Sequence, residues 1–127
     1  MDLLLDTAPF LWWLSDDPKL GRSARAHIER RGNSVYVSAA SAWEIAVKRA
    51  SGKLVAPGDI RKCISDEGFL ELPIDVGHAI ASAELPRHHN DPFDRLLIAQ
   101  AQLEDLTLVA RDDTITRYDV PAIDAGS

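Results

Sequence analysis

Asn90-Asp91-Pro92-Phe93-Asp94-Arg95-Leu96-Leu97-Ile98-Ala99-Gln100 is the stretch from which the fold is read. Asp91 is placed to cap a helix, and Pro92 suits the first helical position, where a missing N–H costs nothing. Phe93, Leu96, Leu97 and Ala101 follow at helical spacing, so one face of this helix is core. Asp94 falls in the first turn, just off that face, where its carboxylate projects toward whatever lies above the helix N-terminus. An acid there complements the helix dipole and by itself needs no function. The positions of the other acids argue for more.

Working outward, Leu106 to Ala110 after this helix is a β-branched, apolar strand, and Val76 to Leu85 before it is a helix stopped by Pro86. At the front of the chain Leu3-Leu4-Leu5 reads as a short buried strand ending on Asp6-Thr7. Pro9 then opens a short helix, Phe10-Leu11-Trp12-Trp13-Leu14, stopped by Ser15-Asp16-Asp17-Pro18. A helix over Ser23 to Arg31 ends at Gly32-Asn33. Val35-Tyr36-Val37 is a strand, and Ser38 leads into a helix reaching Gly52. Asp59 to Asp66 is helical, Phe69 to Leu72 is a strand, Asp112-Asp113 start a single helical turn, and Val120 to Ile123 is a weak last strand. Strands alternating with helices at this spacing predict one α/β domain over residues 1–127, three layers deep, around a mostly parallel sheet.

A chain of 127 residues is long enough to bury about two thirds of its unfolded surface. It is 46% hydrophobic and 27% charged, which excludes a mainly disordered protein. The single cysteine, Cys63, can make neither an internal disulfide nor a cysteine-based zinc site, as fits a reducing cytoplasm. Asp2 and Asp6 interrupt the first apolar run, against a secretory leader, and no run approaches the roughly 18 residues of a membrane helix. A net charge of −6 argues at first sight against a nucleic-acid partner. Carboxylates gathered to hold a divalent metal would make the bare chain acidic, however, and the metal would reverse the local field.

In an open parallel sheet, chemistry gathers at the carboxyl ends of the strands. Asp6 directly follows the first strand, Glu44 lies two turns into the helix after the second, and Asp112 comes two residues after the strand at 106–110. Asp94 begins the helix that feeds that strand. Each has a structural alternative: Asp6 as a helix cap, Glu44 in a capping box with Ser41 or paired with Lys48, and Asp112 as a turn residue. Four such coincidences at one sheet edge are far less probable than one.

Leu3-Leu4-Leu5-Asp6-Thr7, Val37-Ser38-Ala39-Ala40-Ser41-Ala42-Trp43-Glu44-Ile45, the stretch Asp91 to Ala101, and Leu106-Thr107-Leu108-Val109-Ala110-Arg111-Asp112 together resemble a PIN domain, and more narrowly the VapC-type toxins of prokaryotic toxin–antitoxin pairs. The resemblance runs to about Tyr118. It implies a PIN-like α/β/α domain and an endoribonuclease that cuts single-stranded or structured RNA, dependent on Mg2+ with Mn2+ able to substitute. Asp6, Glu44, Asp94 and Asp112 would be its catalytic, metal-holding acids; Asp113 is adjacent, and the offset from the preceding strand favours Asp112. A cognate antitoxin, a homodimer and a cytoplasmic location, without membrane contact, are also implied.

The chemistry agrees, since magnesium and manganese prefer hard oxygen ligands. Asp6 and Asp94 are the best direct ligands, with Glu44 and Asp112 completing the shell or holding waters, and Thr7 and Ser41 as supporting donors or caps. His88, His89 and Arg95 are candidates for phosphate contact, or solvated loop residues. The helix at 10–14 is apolar on every side, so Trp12 or Trp13 is expected in an exposed patch that meets the antitoxin or a second copy. Other readings are an RNA-processing nuclease without antitoxin, a phosphorylatable receiver module and a non-catalytic interaction domain.

Overall fold

Three consecutive leucines set the middle of the molecule. In the computed structural model, which describes residues 1–111 and 113–127 (the side chain of residue 114 excepted), Leu3, Leu4 and Leu5 expose no surface at all. A strand covered on both faces belongs at the centre of a parallel sheet. Their strand, β1 (Asp2–Leu5), pairs in parallel with β2 (Ser34–Ser38) on one side and β4 (Thr107–Ala110) on the other. The edges are β3 (Leu70–Leu72) and β5 (Ala122–Asp124), giving the order β3-β2-β1-β4-β5 with every described pairing parallel. A receiver module has the order 2-1-3-4-5, so that reading is set aside.

Among the described residues, six α-helices cover the sheet: α1 (Thr7–Ser15), α2 (Arg22–Glu29), α3 (Ala39–Ala50), α4 (Ile60–Asp66), α5 (Val76–Glu84) and α6 (Pro92–Leu103). Leu3 and Leu5 pack into one layer with Phe10, Ala24, Ile28 and Ile64; Leu4 packs into the other with Leu96, Leu97, Ile98 and Ile115. Helix α3 serves both, through Ile45 and Ala40. The expected three-layer α/β/α architecture is thus present. No helix of the described residues is long and apolar enough to cross a membrane.

Helix α6 begins as its sequence requires. Asp91 Oδ1 accepts the N–H groups of Phe93 (2.9 Å) and Asp94 (3.2 Å), with Pro92 in the first turn. Its burial differs from expectation: every residue from Arg95 to Ala101 is buried, not one face alone, because α5 and the loop after it cover the side that would otherwise meet solvent. Helix α1 starts at Thr7, two residues before Pro9. Proline is tolerated at this third helical position because the first-turn N–H groups have no intrahelical acceptor. Helix α2 stops at Glu29, where Arg30 turns extended.

Candidate active site

Asp6 leaves the end of β1 and caps α1, one carboxylate oxygen accepting the Thr7 N–H at 2.8 Å. The capping role and a site role therefore coexist in one residue. Glu44 projects from α3 and is buried, 5% exposed. The Thr7 hydroxyl donates to Glu44 Oε1 at 2.6 Å, and the Lys48 ammonium lies 2.6 Å from Oε2. Ser41 Oγ is 3.0 Å from the same Thr7 hydroxyl, so Thr7 supports Glu44 directly and Ser41 reaches it only through Thr7. The capping box with Ser41 does not form, since Ser38 caps α3 by accepting the Ala40 N–H. Asp94, in the first turn of α6, is half-buried, with His89 Nε2 at 3.7 Å from its Oδ2.

Asp6, Glu44 and Asp94 line one cleft of about 370 Å³, together with Thr7, Leu11, Trp12, Lys48, Asp91 and Arg111. The fourth expected acid, Asp112, lies outside the described residues. Its neighbour Asp113 is exposed and lines a separate hollow with Ala122, Ile123 and Asp124.

Burial is the main reason that the Asp6 pKa rises to about 6, assisted by the negative charges of Glu44 and Asp91 and opposed by the Thr7 N–H and the Arg111 guanidinium. Lys48 is pushed up, first by its hydrogen bond to Glu44. The native state thus holds a proton on Asp6 over a range in which the unfolded chain, with its ordinary value of 3.8, has already lost it. That stabilising contribution is complete below about pH 4 and disappears as pH rises through about 6. Metal-free Asp6→Asn is therefore expected to exceed wild type in stability at pH 7 by on the order of 2–3 kcal/mol, and to lose the advantage near pH 4. Urea unfolding at both pH values measures this; an advantage independent of pH would show that burial of the charge is not its source.

Several cleft residues were not evident from the sequence. Asp91, legible only as a cap, also faces the cleft, and Lys48 brings a cation among the acids. Trp12 reaches it because Thr7, Ala8, Leu11 and Trp12 share one face of α1. The expected open patch on this helix is present only in part, because its apolar side chains are half-buried. Leu11, Trp12, Trp13 and Leu14 are all partly buried against the core, and Trp13 packs on Phe69 with ring centroids 5.9 Å apart. Trp12 walls the acid cleft, with the Arg111 guanidinium 6.0 Å from its ring centroid.

Arg95 is also corrected. It is buried and donates to the carbonyls of Ser82, Leu85 and Pro86, each at 2.9 Å, so it organises the loop before α6 and has no free face for phosphate. His89 points inward beside Tyr118, whose hydroxyl lies 3.2 Å from its Nδ1.

Residues 3–121 match the family model of the PIN domain. The chain belongs to the PIN domain family. This PIN domain has the fold of several solved structures. One is VapBC2 from Rickettsia felis bound to a DNA fragment from its promoter (TM-score 0.69, 13% identity, 98% of each chain covered). Another is DNA-bound VapBC from Salmonella typhimurium (TM-score 0.66, 21% identity, 98% of each chain). A third is FitAcB from Neisseria gonorrhoeae (TM-score 0.63, 21% identity, 97% of each chain). A comparison with curated proteins finds no match.

The donor set suits a hard divalent cation. Among the described residues, only Asp75, His78 and Glu104 bring three potential ligand atoms within 4.8 Å of one another, and they lie away from the cleft, around the start of α5 and the end of α6. That trio is already hydrogen-bonded: His78 Nδ1 accepts the Asp75 N–H in a capping box and Nε2 lies 3.2 Å from Glu104. The cleft carboxylates are spaced more openly. Magnesium, which keeps several waters and takes one or two carboxylates directly, accommodates such spacing.

Proposed function

We propose that this PIN domain is an endoribonuclease dependent on Mg2+, with Mn2+ able to substitute, acting as the toxin of a toxin–antitoxin pair in the cytoplasm. The observation that carries the reading is the convergence of Asp6, Glu44 and Asp94 on one cleft at the ends of the strands. Asp6 and Asp94 would hold the metal directly. Both oxygens of Glu44 already have partners, Thr7 and Lys48, which suits Glu44 to an outer role in holding water. Asp112 would be the fourth acid, supported by its spacing from β4 and by the separate direction taken by Asp113.

When bound, the divalent ion supplies a lowered pKa for coordinated water and counter-charge for the phosphodiester oxygens. The chain's own residues then do the positioning. Thr7 fixes the Glu44 carboxylate and Lys48 balances its charge. No protein nucleophile is needed.

The antitoxin reading draws on further structures of the same fold, a toxin–antitoxin complex from Klebsiella pneumoniae and a member of the VapBC family of toxin–antitoxin systems from Mycobacterium tuberculosis. A second hollow of about 310 Å³, lined by Leu11, Trp12, Leu14, Leu54, Val55 and Pro57, would receive an apolar antitoxin segment. Homodimer formation is part of the same proposal, with exposed Trp43 and Val47 on α3 as available apolar surface.

Purified protein with magnesium is expected to cut single-stranded RNA and to stop in excess chelator. Manganese is expected to raise its melting temperature, because only the native state gathers the ligands. Undiminished cleavage in chelator would overturn the proposal.

A further inference from the structure

We propose that Trp12 is the stacking platform for one unpaired nucleobase of the strand held in the acid cleft, with Arg111 and Lys48 taking the phosphates beside it. The inference rests on the nuclease reading and adds to it a base subsite. Trp12 is half-buried and lines the same cleft as Asp6, Glu44 and Asp94. Its position on the α1 face that also carries Thr7 fixes it one to two helical turns from the acid at the helix start.

An indole offers a broad π-face to any base, at little entropic cost because few torsions must be fixed. The Arg111 guanidinium lies over the indole, 6.0 Å from the ring centroid, so a base stacking on that face displaces this cation toward the base's own phosphate. Guanidinium groups stack on bases as readily as on indole and also pair with phosphate, so Arg111 can bridge a base and its backbone. Lys48 lines the same cleft, half exposed and anchored by Glu44. A cleft of about 370 Å³ is in the range, from roughly 300 Å³ upward, that encloses one ligand-sized unit, and one nucleotide is such a unit. A cleft lined by an indole, two cations and several carboxylates matches a nucleotide better than a bare phosphate, which would make no use of the aromatic face turned to the cleft.

Duplex RNA hides its base faces, whereas a single strand can turn one base out. The subsite therefore selects unpaired segments at the position that stacks on Trp12, with tolerance for base identity, since every base has a π-face.

The test uses full-length Asp94→Asn, so that binding is read without cutting. A single-stranded oligoribonucleotide is titrated alongside copies carrying one abasic site at successive positions. One abasic position is expected to weaken binding by on the order of tenfold. Adding Trp12→Leu should remove that position's effect, while Trp12→Phe should keep most of it. If every position responds alike with Trp12 present, or if Trp12→Leu leaves the position effect unchanged, the subsite is refuted.

Should Trp12→Leu fail to fold, Trp13→Phe/Trp43→Phe leaves Trp12 as the only indole. Fluorescence quenched by intact RNA and not by the abasic strand then supports stacking, and equal quenching by both refutes it. Metal-dependent cutting by wild type without the base effect would remove the subsite alone. The base effect without any cutting by wild type would remove the nuclease reading alone.

Discussion

Asp94→Asn and Asp6→Asn are each expected to reduce RNA cleavage by on the order of 10³-fold while the fold survives. Neither change removes a helix cap. Asp91, not Asp94, holds the first N–H groups of α6, and asparagine at position 6 can still accept the Thr7 N–H. What each substitution does remove is a negative charge on an oxygen that lines the cleft. Groups acting as one unit give non-additive losses, so the double variant should be little worse than either single one. Expression of wild type without antitoxin is expected to arrest growth, and expression of either variant is not. A variant that keeps more than about a tenth of the cleavage rate, against an expected loss of this size, would dismiss its residue from the catalytic set.

Arg95→Met should lower the stability of the native state by about 3 kcal/mol, the cost of leaving several part-buried carbonyls without their charged donor. Arg95 is 7% exposed and ties down Ser82, Leu85 and Pro86, with His89 O at 3.3 Å and Tyr118 Oη at 3.4 Å. Methionine fills much of the same volume but donates nothing. A domain of this size should melt roughly 10 °C lower. Arg95→Lys should recover only a small part, because one ammonium cannot reproduce a planar fork that reaches several carbonyls. A fall below about 3 °C in Arg95→Met would mean that solvent replaces these bonds readily. Cleavage measured well below the transition separates this role from chemistry: it should persist wherever the variant is folded.

The parts of this fold that were legible from sequence are those governed by local rules. Leu3-Leu4-Leu5 reads as a central strand because three adjacent apolar residues need cover on both faces. Asp91-Pro92 reads as a helix start because capping chemistry is decided within four residues. The i,i+4 pair of Glu44 and Lys48 was open as an alternative to a site role, and the structure has the pair within the cleft. Parallel topology followed from alternation, and strand ends then gave the meeting place of the acids.

What was hidden depended on contacts between distant segments. Arg95 beside Asp94 looks like surface charge until α5 and its following loop present their carbonyls to it. Gln100 likewise gives no local sign that it accepts the Ser38 hydroxyl and donates to Pro73 O at 3.1 Å. For Trp12, an all-apolar helix shows an excess of hydrophobic surface without showing that part of it walls a polar cleft.

The place of β1 between β2 and β4 bears on when the cleft can exist during synthesis. Leu4 lies opposite Tyr36 on one side and opposite Leu108 on the other. Of this sheet, the first strand to be synthesised therefore waits for the fourth to complete its pairing. Loop closure over that separation must be met before the contacts reward it, which places the β1–β4 union late in folding. Asp6 and Glu44 can approach one another once β2 and α3 are made, but Asp94 joins them only when α6 docks under the growing sheet. An incomplete chain thus has acids without a cleft, and assembly of the site coincides with completion of the fold.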